Sequence, residues 1–151
     1  MRTLVIAIAA AAAPLVWPAR AADPVWEPLA GAGDGAYVEI DRTSLALREG
    51  WLTVWLRFSF AEPVRGRVQS FRSAVAQHAI DCRGRRHAAM RMTTYSDRLG
   101  DGDVIDRWDD DPQGWAWRAE SAGAADAMLV RLACAQAPAI AFSMPMTMSP
   151  P

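Results

Sequence analysis

Residues 51–60 read WLTVWLRFSF, and the apolar side chains in this stretch recur at every second position. An extended chain brings such side chains to one face, whereas a helix would scatter them around its circumference. The stretch therefore predicts a half-buried β-strand around which the rest of the chain packs. The five apolar side chains of its inward face are Leu52, Val54, Leu56, Phe58 and Phe60.

The outward face of this strand carries Trp51 and Trp55 beside Arg57, so it is not plainly polar. Aromatic side chains often anchor protein interfaces, and the two tryptophans are therefore a candidate contact patch. A second copy of the chain in a homodimer would cover them. A loop or the segment Trp115–Trp117 would serve as well, and the sequence leaves both alternatives open.

Further strands are predicted on both sides of this stretch, and each is bounded by a turn. Short turns favour antiparallel neighbours. The predicted strands are 26–29 at a sheet edge, 36–41, 68–82, 87–96 and 104–108, with a capped helical turn at 41–45.

One helix is predicted near the C-terminus. It starts at Glu120 and Ser121, with Ser121 as the N-cap, and runs to about Ala133. Apolar residues at helical spacing give it one stripe that packs on the sheet. The predicted fold class is α+β, an antiparallel sheet of about six strands with a C-terminal helix packed on one face and one disulfide.

The two ends of the chain are expected to lie outside this domain. Residues 1–21 have the charged start, apolar run and small-x-small end of a signal peptide, with cleavage after Ala21. The apolar run is too short to span a bilayer, and no cysteine is placed for acylation, so no membrane anchor is expected. The domain is then 22–135, periplasmic or secreted, and 136–151 is a disordered tail rich in Pro and Met.

The charge balance argues against nucleic acid as a partner. All 16 cationic residues are Arg, and the formal net charge is −1. Removing residues 1–21 leaves 14 arginines against 17 acidic residues, a formal charge of −3. Phosphate binding needs a clustered cationic surplus, which this composition lacks.

The chain has two cysteines, Cys82 at the end of a predicted strand and Cys134 at the end of the predicted helix. An exported protein with an even, minimal cysteine count most often pairs them, because the compartment is oxidising. Two buried free thiols are the alternative.

Several features follow one another in order from Trp26 to Cys134. They are Trp26, Tyr37 to Asp41, Ser44-Leu45, Gly50, Thr53-Val54-Trp55, Ile80-Asp81-Cys82, Arg85-Arg86, Tyr95, Gly100-x-Gly102, Trp108 and Ala133-Cys134. In this order and spacing they resemble the surface-adhesin protein E-like domain of exported bacterial proteins. The resemblance implies the same sheet-and-helix fold, and it makes Cys82 and Cys134 the disulfide that joins helix to sheet.

The family's namesake is a lipid-anchored surface protein that binds host matrix proteins and plasminogen without enzymatic activity. The resemblance therefore implies a non-enzymatic exported binding module with a protein partner and no cofactor. One alternative is an inhibitor or accessory factor of a periplasmic or host enzyme that inserts the loop Asp109–Gly114. Another is a copper-handling protein that uses the tail residues Met144, Met146 and Met148, because thioethers suit copper(I).

A cationic cluster on the predicted hairpin between strands 68–82 and 87–96 is the second candidate binding surface, since guanidinium groups favour carboxylate and sulfate ligands. Its members are Arg83, Arg85, Arg86 and Arg91. The alternative is a solvated hairpin whose arginines pair with acidic residues of the same domain.

The remaining polar residues give little support for a metal or for catalysis. The aspartates between 97 and 111 lack the spacing of a calcium loop. The two histidines, His78 and His87, come without a nucleophile motif, so no enzyme is expected. We expect His78 in the core as a satisfied polar residue, and period-two geometry predicts that His87 lies on the opposite face of its strand from Met90 and Met92.

Overall fold

The computed structural model describes residues 23–31, 35–48 and 50–142. Seven strands and one α-helix follow one another along these ranges. They are β1 (Trp26–Gly31), β2 (Ala36–Arg48), β3 (Trp51–Arg65), β4 (Ser70–Asp81), β5 (Arg86–Tyr95), β6 (Val104–Asp109), β7 (Arg118–Ala119) and α1 (Ala124–Phe142). The predicted signal peptide lies outside the described residues. No helix in these ranges is both long enough and apolar enough to cross a bilayer.

The first six strands form an antiparallel meander in which each strand pairs with the next along the chain. β7 pairs with the start of β5, where Arg86 lies opposite Ala119 and His87 opposite Arg118. β1 lies at one edge of the sheet, which suits its Pro28, because proline has no N–H to donate to a second neighbour. The predicted antiparallel sheet with one C-terminal helix is confirmed.

The main core lies between the sheet and α1. Leu56 of β3 sits opposite Ile40 on one side and Ala76 on the other, and it is 2% exposed. Leu129 and Ala133 of α1 belong to the same cluster and are 1% and 0% exposed. Full burial of a large aliphatic side chain contributes roughly 1.5–3 kcal/mol. The inward face predicted for β3 is therefore the face that α1 covers.

A disulfide joins the helix to the sheet. Cys82 follows β4 directly and bonds to Cys134 of α1, with Cα atoms 5.5 Å apart. The predicted pairing is confirmed, and neither cysteine is free. The bond fixes α1 over the end of β4, which in turn sets the neighbours of the first helical turn.

The predicted helical turn at 41–45 is wrong. β2 runs through these residues, and its pairing with β3 shifts between Asp41 and Ala46. Asp41 Oδ1 does accept from Thr43 N, at 3.0 Å, but the hydrogen bond stabilises a bulge in the strand instead of a helix cap.

Both predicted ends of the helix also need correction. Ser121 lies in a 3₁₀ turn, Glu120–Ala122, and Gly123 O accepts the first helical hydrogen bond from Ala127 N at 3.0 Å. At the other end α1 passes through Pro138 and continues to Phe142, so residues 136–142 are helical and not tail. Residues 143–151, which include the three alternating methionines, lie outside the described part of the chain.

Candidate binding site

The predicted cationic cluster, here called the arginine surface, comprises Arg83, Arg85, Arg86 and Arg91. Three of its members pair with acidic residues of the same chain. The pairs are Arg85–Glu120, Arg86–Asp81 at 2.8 Å and Arg91–Asp109 at 3.4 Å. Arg83 is exposed at the turn of the β4–β5 hairpin. The acidic partners balance much of the charge, and a binding role for this surface stays a prediction.

Part of the arginine surface also contacts an aromatic ring. The guanidinium carbon of Arg86 lies 4.6 Å from the centroid of the Trp117 ring. The side chains of Arg85 and Arg86 are 70% and 45% exposed, so their remaining donors face solvent.

The two candidate tryptophans of β3 lie in different surroundings. Trp51 packs against Trp115 and Trp117, with ring centroids 5.3 and 5.4 Å away. The segment Trp115–Trp117 thus covers Trp51 within one chain. The Trp51 side chain is then not available for the contact on which the predicted homodimer depended. Trp55 instead lines a separate depression with Trp26 and Arg48. The two side chains do not form one patch, and their role in binding is untested.

Beyond the predicted candidates, four polar side chains form a hydrogen-bonded chain beneath the start of α1. His78 Nδ1 lies 2.9 Å from His87 Nδ1, and His87 Nε2 lies 2.7 Å from Asp126 Oδ1. Arg118 completes the chain, with Nε and Nη2 each 3.2 Å from an oxygen of Asp126. His78 and His87 are only 5% and 3% exposed.

A β-bulge explains why His87 shares its face with Met92. The pairing of β5 with β4 shifts by one residue at Met90, and the alternation of side chains reverses beyond that point. Met90 packs with Trp115 on the far face of the sheet, whereas Met92 lines the same cavity as His87. The predicted separation of His87 from the methionines is therefore correct for Met90 and wrong for Met92.

The hydrogen bonds determine which nitrogens carry protons. Burial alone would raise the pKa of Asp126, but hydrogen bonds from Arg118 and His87 and the charge of Arg118 hold it below its ordinary value. The ionised carboxylate can only accept, so His87 donates through Nε2. Burial lowers the pKa of His87 despite the hydrogen bond to Asp126, so the ring is neutral and its Nδ1 accepts from His78.

His78 is then neutral, with its proton on Nδ1 and a free lone pair on Nε2. Burial, followed by the neighbouring His87, lowers the pKa of His78 to about 3. The buried Nε2 atom has no hydrogen-bond partner among the described residues. The expectation that His78 lies in the core is correct, but only one of its two nitrogens is satisfied.

A cavity of about 640 Å³ lies beside these histidines, and we call it the histidine cavity. Small-molecule sites typically enclose about 300–1,000 Å³. Much of its wall is apolar, with Val38, Phe58, Phe60, Met92 and Trp108 among the lining residues. Two side chains at its solvent side, Arg67 and Arg118, are 66% and 60% exposed.

The polar side chains that line the histidine cavity are two histidines, two aspartates and two arginines. Among the described residues that line it there is no Ser, Thr, Cys, Tyr or Lys side chain. A histidine whose pKa is about 3 is also a weak general base at neutral pH. Over the described ranges, no three His, Cys, Asp or Glu side chains converge as a metal-ligand group.

Sequence reasoning missed Asp126 and Arg118 and did not join the two histidines. The available signal was the hairpin, which places His78 and His87 on adjacent strands, and an acidic residue in the first helical turn. What the sequence did not supply was the bulge at Met90 and the correct start of α1.

The family model described as surface-adhesin protein E matches residues 26–135, which is more than half of the chain. A search of curated proteins gave no match. Among solved structures, a crystal form of Haemophilus influenzae protein E is similar, with 13% identity, a TM-score of 0.47, and coverage of 66% of this chain and 80% of that chain.

Proposed function

We propose that this chain, which belongs to the surface-adhesin protein E family, is a non-enzymatic exported binding module, soluble in the periplasm or secreted, whose arginine surface contacts a protein partner. The family supports a role in binding.

The observation that carries the proposal is the exposure of Arg83, Arg85 and Arg86, together with the contact of Arg86 with Trp117. Arginine and tryptophan are enriched among residues that dominate interface energies. Exposed ion pairs such as Arg86–Asp81 add only about 0–1 kcal/mol to stability, so exchanging one carboxylate for another costs little. The partner surface is therefore expected to present carboxylate groups.

Site-specific photocrosslinking in cells that express the full chain tests this surface. A photoreactive amino acid at Arg83 is expected to give a discrete covalent adduct with another protein. Replacing Arg85 and Arg86 with Ser should lower the adduct yield about tenfold, the factor that corresponds to ~1.4 kcal/mol of lost binding.

Arg42 provides the matched control position. It also lies on a strand and pairs with an acid, Glu27 at 3.0 Å, and its side chain is 47% exposed. A crosslinker there should give no such adduct, and Arg42→Ser should leave the yield from position 83 unchanged. Equal yields with and without the two hairpin arginines would refute the proposal.

An inhibitor or accessory role is the second candidate, because the loop Asp109–Gly114 is exposed and held at its base. Asp110 N donates to Met90 O, and Trp115 Nε1 donates to Asp110 O, at 2.9 and 2.8 Å. A loop anchored in this way loses little conformational entropy when it inserts into a target site. Adducts formed from a crosslinker at Gln113, and not at Arg83, would favour this alternative.

A further inference from the structure

The Nε2 atom of His78 is buried without a hydrogen-bond partner among the described residues, and the His78 side chain lines the histidine cavity. A buried acceptor without a partner is rare in folded proteins and costs free energy. The geometry fixes its role, because Arg118 holds the Asp126 carboxylate, Asp126 accepts from His87, and His87 accepts from His78. Nε2 of His78 therefore presents a lone pair and no proton.

Two ion pairs flank the cavity, and a further charged residue, Asp110, lines it without a salt bridge to any described residue. Arg118 lies against Asp126, and Arg67 pairs with Asp106 at 3.1 Å. An anionic ligand would have to displace one of the paired carboxylates, and a charge of either sign is costly to desolvate against the apolar wall. An uncharged ligand would leave both pairs intact.

We propose that the histidine cavity binds a small, uncharged and largely apolar molecule that carries one hydroxyl or N–H group, and that this group donates a hydrogen bond to Nε2 of His78. The apolar wall, with the Phe58 ring centroid 5.9 Å from that of His78, would cover the rest of the molecule. This site concerns a small molecule and does not depend on the protein partner proposed above.

A pair of fluorescent probes that differ in one proton tests the proposal. N-phenyl-1-naphthylamine is uncharged and apolar and has one N–H group, and its N-methyl derivative has none. The purified protein should bind the first with one site and about tenfold more tightly than the second, because only the first satisfies the buried acceptor. Failure of the N–H probe to bind, or equal affinity for the two, would overturn the proposal.

His78→Phe separates the hydrogen bond from the cavity itself. The variant has a phenyl ring in place of the imidazole and so lacks the lone pair. It should therefore bind both probes with similar affinity. Arg42→Ser, on a distant exposed ion pair, should keep the tenfold preference. A preference that persists in His78→Phe would contradict the proposed acceptor.

A measurement on the unaltered protein guards against a variant that fails to fold. Nitrogen-15 NMR of the imidazole rings should show His78 protonated on Nδ1 only and His87 on Nε2 only. Addition of the N–H probe should shift the Nε2 resonance of His78. A proton on Nε2 of His78 in the free protein would overturn the proposal. Tight copper(I) binding that removes the Nε2 resonance and excludes the probe would overturn it as well.

Discussion

His78 and His87 are joined across β4 and β5 by one hydrogen bond between their Nδ1 atoms, which lie 2.9 Å apart. Only one of the two atoms can carry the proton, so protonating both rings fully would break the bond and place two positive charges together. The pair is stable only while at least one ring is neutral, and burial favours the neutral form of both.

The free energy of unfolding is therefore expected to fall as the pH drops below about 6.5, the ordinary pKa of histidine. Burial lowers the pKa of His78 to about 3 and also lowers that of His87. In this range the unfolded chain binds protons that the folded chain excludes, so stability rises with pH. Between pH 7.5 and 5.5 the loss is roughly 1.4 kcal/mol for each histidine that stays neutral.

Urea denaturation at these two pH values measures the effect. His78→Phe removes one of the two titrating groups and should flatten the dependence. Carboxylates such as Asp126 and Asp81, whose pKa values are lowered, add their own loss only at more acidic pH. An unchanged free energy of unfolding between pH 7.5 and 5.5 would show that the histidines are not held neutral.

Asp126→Asn should destabilise the fold by about 1–3 kcal/mol, because it removes the charge that Arg118 and His87 both contact. Glu27→Gln is the matched control: its partner, the exposed side chain of Arg42, lies 3.0 Å away, and the change should cost less than about 1 kcal/mol. Chemical denaturation of both variants gives the comparison. Equal losses would mean that the hydrogen bonds of Asp126 contribute no more to stability than an exposed ion pair does.

Replacing both Cys82 and Cys134 with Ala should lower stability by about 4 kcal/mol, since the bond closes a loop with a sequence separation of 52. The same change releases α1 from the end of β4, so the preference of the histidine cavity for the N–H probe should weaken as well. Thermal melts and the probe titration are the two measurements. A variant with unchanged stability and unchanged probe preference would show that packing alone positions the helix.

Trp115→Ala should cost about 3–5 kcal/mol, because its ring is 6% exposed and packs against Trp51 and Trp117. Val68→Ala, at a side chain that is 68% exposed, is expected to change stability by less than about 0.5 kcal/mol. Urea midpoints of the two variants test the difference. A small loss for Trp115→Ala would mean that packing against Trp51 contributes little to stability. Contact of Trp51 with a second copy of the chain would then be favoured again.

The regular parts of the fold could be predicted because their periodicity is long and unbroken. Ten residues of alternation located β3, and the expected burial of His78 on the neighbouring strand β4 was correct. The bulges could not be predicted in this way, since one inserted residue reverses the alternation without changing the composition. Met90 is the example with the largest consequence, because it decides which side chains share the face of His87.

The candidate site depended on relationships between distant elements. His87 and Asp126 are 39 residues apart, and they meet because Cys82–Cys134 fixes α1 above β4 and β5. The pairing of the cysteines was predictable from their number and the compartment, but the register of the helix was not. The predicted C-terminal end of the helix was too early, since α1 runs through Pro138 to Phe142.

The proposed role requires that the chain leave the cytoplasm and form its disulfide outside it. Fractionation of the producing cells tests this requirement most directly. We predict that the protein is found outside the cytoplasm, with an intact mass that starts at Ala22 and with no free thiol. A full-length chain in the cytoplasm with two free thiols would contradict the export, the disulfide and the binding role together.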